Sequence, residues 1–105
     1  MANVIKAEDF IKNVKEGNGI AVVDFFATWC GPCNMLGPVF SEVAEENKDL
    51  GFFAKVDIDE SMELAQEYGV STVPTVIFFK DGVEVTREIG FMSKDKIVSN
   101  IESMK

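Results

Sequence analysis

Hydrophobic residues recur along the chain with two periodicities, which predict alternating strands and helices. Continuous apolar runs over residues 20–27 and 51–58 are typical of strands buried on both faces of a sheet. Apolar residues spaced by three and four positions predict amphipathic helices. These helical patterns are the set Phe10, Ile11 and Val14, the set Met35, Leu36, Val39, Phe40, Val43 and Ala44, a short segment between Ser61 and Gly69, and the set Ile97, Val98, Ile101 and Met104 after Ser93.

Further strands complete the predicted order β-α-β-α-β-α-β-β-α. Residues 75–80 and 83–89 flank Asp81-Gly82, a strong signal for a two-residue hairpin. Val4-Ile5 is expected to add a short edge strand. Strands joined by helices are expected to pair in parallel, with the hairpin as an antiparallel edge. The pattern therefore predicts one α/β domain over residues 1–105.

Composition and charge narrow the possible partners. The chain has 105 residues, of which 47% are hydrophobic and 27% are charged, as in ordinary globular domains. Its net charge of −8 argues against binding nucleic acid or an anionic membrane. No apolar stretch approaches the roughly 18 residues of a membrane span, and residues 1–20 carry no signal-peptide pattern. We therefore expect a cytoplasmic protein in a reducing environment.

Two absences exclude several kinds of site. The chain has no histidine, which removes serine triads, histidine bases and histidine metal ligands. It has only two cysteines, Cys30 and Cys33, so a site with four cysteine ligands cannot form within one chain. Because no phosphate-binding glycine motif is present either, we expect no bound cofactor and no metal.

The two cysteines lie where the predicted central strand meets a helix, in the segment Trp29-Cys30-Gly31-Pro32-Cys33. One interpretation is a structural disulfide, which would close too short a loop to add much stability. A second is half of an intermolecular metal site, for which no further ligand is in view. The third, which the order strand, C-x-x-C and helix favours, is a dithiol that cycles between thiol and disulfide.

The position of the pair gives its two sulfurs different tasks. At a helix N-terminus, unpaired N–H groups and the helix dipole favour a thiolate, so we expect a lowered pKa for Cys30. Cys33 lies one turn further in, and we expect it to be more enclosed and protonated until it reacts. Pro32 fits the first helical turn, and the uncharged Gly31-Pro32 link favours a reductant over an oxidant.

Asp24 interrupts the central apolar run and is the candidate proton acceptor. If it is buried without a partner, its pKa rises and it can accept the proton of Cys33, directly or through water. The alternative is an aspartate that faces solvent beside a bulge, or one whose carboxylate accepts backbone N–H groups. Lys55, on the neighbouring predicted strand, is a candidate partner that would set its pKa.

Val73-Pro74 immediately precedes a predicted strand. It is either an ordinary turn or a cis peptide that places backbone groups opposite the thiols. The sequence does not distinguish these two alternatives.

These motifs together resemble the thioredoxin family over the whole chain. The resemblance rests on residues 24–33 (Asp-Phe-Phe-Ala-Thr-Trp-Cys-Gly-Pro-Cys), Pro38, residues 55–59, residues 72–75 (Thr-Val-Pro-Thr) and Gly90. It implies a thioredoxin fold, with a central five-stranded mixed sheet flanked by four helices. It also implies the depressed thiol pKa for which this family is known.

The resemblance further implies a monomeric, general protein-disulfide reductase whose partners are disulfide-containing proteins and a thioredoxin reductase. Cys30 would be the nucleophile, Cys33 the resolving cysteine, and Asp24 the buried base assisted by Lys55. Val73 would pair through its backbone with an extended substrate, and Pro74 would be cis. The residues expected to line the docking surface are Trp29, Gly31, Pro32, Val73, Pro74, Gly90 and Phe91.

The sequence departs from the family pattern at three positions. Phe26 stands where a second tryptophan is frequent, Asn34 where many members carry lysine, and Phe91 where a small residue is common. The loss of a positive charge at Asn34 and the bulk of Phe91 are expected to affect partner choice.

Two other functions remain open at the level of the sequence. One is a thiol oxidant or isomerase on the same fold, which a reduction potential far above the cytosolic glutathione poise would indicate. The other is a redox-independent binding subunit of a larger complex, whose affinity would survive loss of both thiols.

Overall fold

The computed structural model describes residues 2–105, which form five strands and four helices. The strands are β1 (Asn3–Val4), β2 (Ile20–Phe26), β3 (Gly51–Asp57), β4 (Thr75–Lys80) and β5 (Val83–Ile89). The helices are α1 (Ala7–Phe10), α2 (Gly31–Glu46), α3 (Met62–Glu67) and α4 (Lys94–Ser103). A π-helical turn, Ile11–Lys15, continues α1. All helices of this part of the chain are too short or too polar to cross a bilayer.

The strands form one mixed sheet in the order β1-β3-β2-β4-β5. The strands β1, β3 and β2 run parallel, and β4 and β5 form the antiparallel hairpin predicted around Asp81-Gly82. Both hairpin residues have positive φ angles, 52° and 83°, as a type I′ turn requires. The predicted fold class is therefore confirmed, with β2 at the centre of the sheet.

The direction of β4 differs from the expectation of parallel pairing between helix-joined strands. β4 runs antiparallel to β2, with Thr75 opposite Phe25. The reason is the length of α3, whose six residues rise only about 9 Å. A seven-residue strand such as β3 spans about 23 Å. The chain therefore starts β4 near the edge where β3 ends, which brings Val73-Pro74 to the end of β2.

Apolar side chains cover both faces of the sheet. On one face, Val22 and Phe78 pack against α2 and α4 through Phe40, Ile97 and other residues. On the other face, Phe25 and Phe79 pack with Phe10 and α3. Burial on both faces explains why β2 reads as a nearly continuous apolar run.

Some predicted boundaries and buried positions were wrong. β2 ends at Phe26, one residue before the end of the apolar run. Met35 is 65% exposed although its spacing placed it in the helical stripe, because α2 buries the face that carries Leu36, Phe40 and Val43. Ile11 is also exposed, at the start of the π-helical turn.

Candidate active site

A small apolar cluster forms where β2 meets α2. It contains Ala27, Cys30 and Cys33, against which Phe26, Ile58 and Val73 pack. Cys30 and Cys33 are joined by a disulfide, with their Cα atoms 5.2 Å apart. The disulfide lies beyond the carboxyl end of the central strand, where sites in such sheets are expected.

Cys30 is the N-cap residue of α2. It has extended backbone angles, and its Sγ accepts a hydrogen bond from the backbone N–H of Cys33 at 3.2 Å. Pro32 occupies the first turn, where its missing N–H leaves no helical bond unmade. A sulfur that receives a helix N-terminal N–H is placed to carry negative charge.

The two cysteines do not differ in overall exposure as expected. Cys30 is 4% and Cys33 is 3% exposed in the disulfide form. They differ instead in what surrounds them, because Cys30 lines a surface cleft and Cys33 does not. We call this feature, of about 420 Å³, the disulfide cleft; its lining residues are Trp29, Cys30, Gly31, Pro32, Ile58, Ser71, Thr72 and Val73.

Val73 and Pro74 form the wall opposite the disulfide. The Val73–Pro74 peptide is cis, which decides between the two sequence interpretations. The carbonyl oxygen of Val73 lies 3.6 Å from the Sγ of Cys30. Thr75 fixes this turn, since its hydroxyl donates to the carbonyl of Thr72 at 2.6 Å.

Gly90 and Phe91 lie behind that wall rather than in the cleft itself. The N–H of Gly90 donates to the carbonyl of Pro74 at 2.8 Å, and Gly90 has a φ angle of 90°. Pro74 is buried, whereas Phe91 is 48% exposed. The structure thus connects Gly90 to the wall of the cleft through Pro74, and none of these three predicted docking residues is among those that line the cleft.

Trp29 is hydrogen-bonded to Asp59, a residue that the sequence analysis did not predict to be part of the site. Trp29 is 69% exposed, and its Nε1–H donates to Asp59 Oδ2 at 2.8 Å. The backbone N–H of Asp59 in turn donates to Oδ1 of Asp57 at 2.9 Å, as does that of Glu60 at 3.4 Å. Ile58, Ser71 and Thr72 were also missed, and no spacing in the sequence marks any of these residues.

Asp24 is fully buried, and neither of its carboxylate oxygens has a hydrogen-bond partner among residues 2–105. The interpretations of Asp24 as solvent-facing or bonded to backbone N–H groups are therefore wrong. Burial raises the pKa of Asp24 to about 7, although the charge of Lys55 opposes this rise. A carboxyl with such a pKa exchanges protons readily near neutral pH.

Lys55 lies in the same layer as Asp24, between the sheet and α2. The two residues are register partners on β3 and β2, so their side chains point to the same face. The Nζ of Lys55 lies 4.5 Å from the centre of the Phe26 ring. It is also close to Gly37 of α2, where an added Cβ would be 3.8 Å away. Asp24 and Lys55 thus face the helix that carries Cys33.

Within residues 2–105, no group of three or more histidine, cysteine, aspartate or glutamate side chains could hold a metal ion. The chemistry that the arrangement offers is exchange between the Cys30–Cys33 disulfide and external thiols or disulfides. A buried carboxyl is available nearby for proton transfer.

Comparison with known proteins places this geometry in one family. A family model described as Thioredoxin matches residues 1–103. A thioredoxin of Chlamydia trachomatis is 44% identical over 101 residues, which cover 96% of each chain. A thioredoxin of Mycoplasmoides gallisepticum is 50% identical over 80 residues, or 76% of this chain and 79% of that protein. The crystal structure of Malassezia sympodialis thioredoxin superposes with a TM-score of 0.86 at 38% identity, covering 99% of this chain and 90% of that one.

Proposed function

The chain belongs to the thioredoxin family of thiol–disulfide oxidoreductases, and we propose that it acts as a general protein-disulfide reductase. The observation that carries this proposal is the position of the Cys30 sulfur. It receives a helix N-terminal N–H and lines the open disulfide cleft of about 420 Å³. In the reduced protein the same surroundings favour a thiolate at Cys30 that a partner's disulfide can reach.

The first step is attack by Cys30. Its thiolate displaces one sulfur of the substrate disulfide, which leaves as a thiolate and takes up a proton from water. The product is a mixed disulfide between Cys30 and the substrate. The helix N-terminus that stabilises the attacking charge lies within α2 itself, so no additional charged group is needed.

The second step is attack by Cys33 on the mixed disulfide. Cys33 lies three residues further along α2, next to Cys30 and away from the cleft, so it meets the Cys30 sulfur rather than the solvent. It displaces the second substrate sulfur, and the Cys30–Cys33 disulfide forms. The substrate gains two electrons and two protons, and the protein loses the same number.

Asp24 serves as the base for the second step. Its ionised form accepts the Cys33 proton, directly or through water, and later releases it to solvent. A pKa of about 7 leaves this carboxyl partly ionised under neutral conditions, so it can both accept and release a proton. Lys55 acts as a positioning residue whose charge keeps the Asp24 pKa from rising further.

The substrate docks as an extended segment along the wall of the cleft. The backbone of Val73 is available for strand-like hydrogen bonds beside the Cys30 sulfur. Trp29, Gly31 and Pro32 form the opposite side of this contact. Pro74 and Gly90 support the Val73 wall from behind, and the exposed Phe91 extends the docking surface beyond the cleft.

A thioredoxin reductase supplies the reducing equivalents, and the protein itself carries no bound cofactor. Thioredoxins have no prosthetic group, so the Cys30–Cys33 pair is the electron carrier. We propose that the protein works as a cytoplasmic monomer that alternates between its reductase and its protein substrates.

A trapping experiment tests this function. The Cys33→Ser variant should accumulate substrate proteins as mixed disulfides that dithiothreitol releases, whereas Cys30→Ser should trap none. Wild-type protein should reduce insulin disulfides with a coupled reductase, and Cys30→Ser should abolish that activity. A redox-independent binding subunit would instead retain the same partners in both variants, and that result would exclude the proposed function.

A further inference from the structure

The residues that line the disulfide cleft include no lysine or arginine. All of them belong to two long stretches of the chain, residues 16–47 and 56–79, that contain neither lysine nor arginine. Asn34, directly after Cys33, adds no charge. A segment that docks on the disulfide cleft therefore meets apolar and acidic groups.

The acidic groups at this edge are Asp59 and Glu60, and both are exposed. Asp59 holds Trp29 through its indole N–H, and the Glu60 backbone is tied to Asp57. The Trp29 ring is thus bonded to one exposed carboxylate, and Glu60, the next residue in the chain, supplies a second exposed carboxylate in the same loop. The face of an indole ring attracts a lysine or arginine side chain, and adjacent carboxylates strengthen that attraction.

Several cations elsewhere in the fold have partners of their own. Lys55 lies between the sheet and α2 with its Nζ over Phe26. At the start of α4, Lys94 pairs with Glu42 and Glu46 at 3.1 and 2.8 Å. Arg87 is held by Glu84 at 2.7 Å.

Other lysines lie at the opposite edge of the sheet. Lys48 precedes the start of β3, and Lys80 ends the antiparallel strand β4. The carbonyl of Lys15 lies against Gly82 of the hairpin, at that same edge. These three lysines are therefore remote from the disulfide, and exposed Lys6, which follows β1, lies on the far side of β3 from the central strand.

From this arrangement we propose that the disulfide cleft prefers protein disulfides flanked by lysine or arginine. The proposal rests on the proposed reductase function and specifies its substrate class. The partner's basic side chain lies on the Trp29 ring, within reach of Asp59 and Glu60, while its disulfide meets Cys30. The exchange itself is unchanged, since two protein thiols become one disulfide and the substrate disulfide becomes two thiols.

Matched peptides test this preference. Two synthetic peptides with one intramolecular disulfide differ only in having arginine or glutamate beside one cysteine. Their reduction by excess prereduced protein is followed by chromatography at low salt, and each rate is divided by the rate with dithiothreitol. This division removes the effect of the neighbouring charge on the disulfide itself. We expect the arginine peptide to react about two- to fivefold faster for each carboxylate engaged.

Two double variants show whether the preference is local. Asp59→Asn with Glu60→Gln removes the two charges and keeps an acceptor for the Trp29 N–H, and it should bring the ratio of the two rates close to one. Glu16→Gln with Asp49→Asn makes the same change in net charge at the opposite edge, where both residues are exposed and precede β2 and β3. This control should leave the ratio unchanged. High salt should lower the wild-type ratio, because the Debye length falls from about 10 Å at 0.1 M to about 3 Å at 1 M.

The outcomes separate this inference from the function on which it rests. Equal normalised rates for both peptides, or an equal loss of preference in both double variants, would overturn it while reduction itself continues. If Cys30→Ser reduced the peptides as fast as the wild type, the proposed function would fail instead.

Discussion

Asp24 and Lys55 are register partners on adjacent parallel strands, yet neither carboxylate oxygen of Asp24 has a hydrogen-bond partner among residues 2–105. An uncompensated buried carboxylate is costly when it is ionised. The fold nevertheless keeps Asp24 buried near the Cys30–Cys33 pair, where a carboxylate can accept a proton during thiol–disulfide exchange. Three of the predictions below test this relationship.

The first prediction concerns stability and pH. The folded protein binds the Asp24 proton more tightly than the unfolded chain, since burial raises the pKa from 3.8 to about 7. The contribution of the Asp24 carboxyl to the free energy of unfolding is therefore largest below about pH 4, and it is lost as the pH rises through about 7. We expect Asp24→Asn to raise the free energy of unfolding at pH 8 by about 2–4 kcal/mol, with no comparable gain below pH 4. Urea unfolding at both pH values measures this; a gain of the same size at both would contradict the raised pKa.

The second prediction concerns Lys55. Its positive charge lowers the pKa of Asp24 against the effect of burial. Lys55→Met should therefore move the Asp24 titration above about 7, whereas Lys55→Arg should leave it nearly in place. Carboxyl carbon NMR shifts of Asp24 across a pH series give the midpoint directly. An unchanged midpoint in Lys55→Met would show that the two charges do not interact.

The third prediction separates the two chemical steps. Asp24→Asn should slow release of substrate from the mixed disulfide by about 10- to 100-fold at neutral pH, because it removes the base. Attack by Cys30 should keep its rate. In the wild type, the release rate should rise with pH through about 7 as Asp24 loses its proton. Rapid-quench kinetics resolve both steps, and unchanged release in Asp24→Asn would eliminate Asp24 as the base.

The fourth prediction concerns the bond between Trp29 and Asp59. Asp59→Ala removes the acceptor of the indole N–H, so the exposed ring should become more mobile and reduction of protein substrates should fall by about two- to fivefold. Asp59→Asn keeps an acceptor and should retain the order of the ring. Trp29 is the only tryptophan, so its fluorescence anisotropy reports on this ring alone. Equal anisotropy in Asp59→Ala and the wild type would show that the bond does not hold the ring.

Sequence patterns predicted the parts of the site that follow from local periodicity and elementary electrostatics. The apolar run around Asp24 indicated a central strand, and the placement of the cysteines after it indicated a helix N-terminus. The structure bears out the burial of Asp24 because a strand enclosed on both faces leaves no position in solvent. The turn around Asp81-Gly82 follows equally from residues that accept positive φ angles.

Features that depend on the lengths and ends of elements were not predictable in the same way. The direction of β4 depends on α3 being too short to return across the sheet. The bond from Trp29 to Asp59 joins two loops that no periodic pattern relates. On β5, Val83, Val85 and Ile89 alternate with polar residues as expected of an outer strand, but all three are more than half exposed.

We propose different tasks for the two sulfurs because Cys30 is the N-cap residue of α2 and lines the cleft, whereas Cys33 does neither. Alkylation of the reduced protein with iodoacetamide at pH 7, followed by peptide mapping, tests this most directly. We expect Cys30 to be labelled at least about tenfold faster than Cys33 and faster than a free cysteine. Equal labelling of both residues, at the slow rate of a free cysteine, would contradict it.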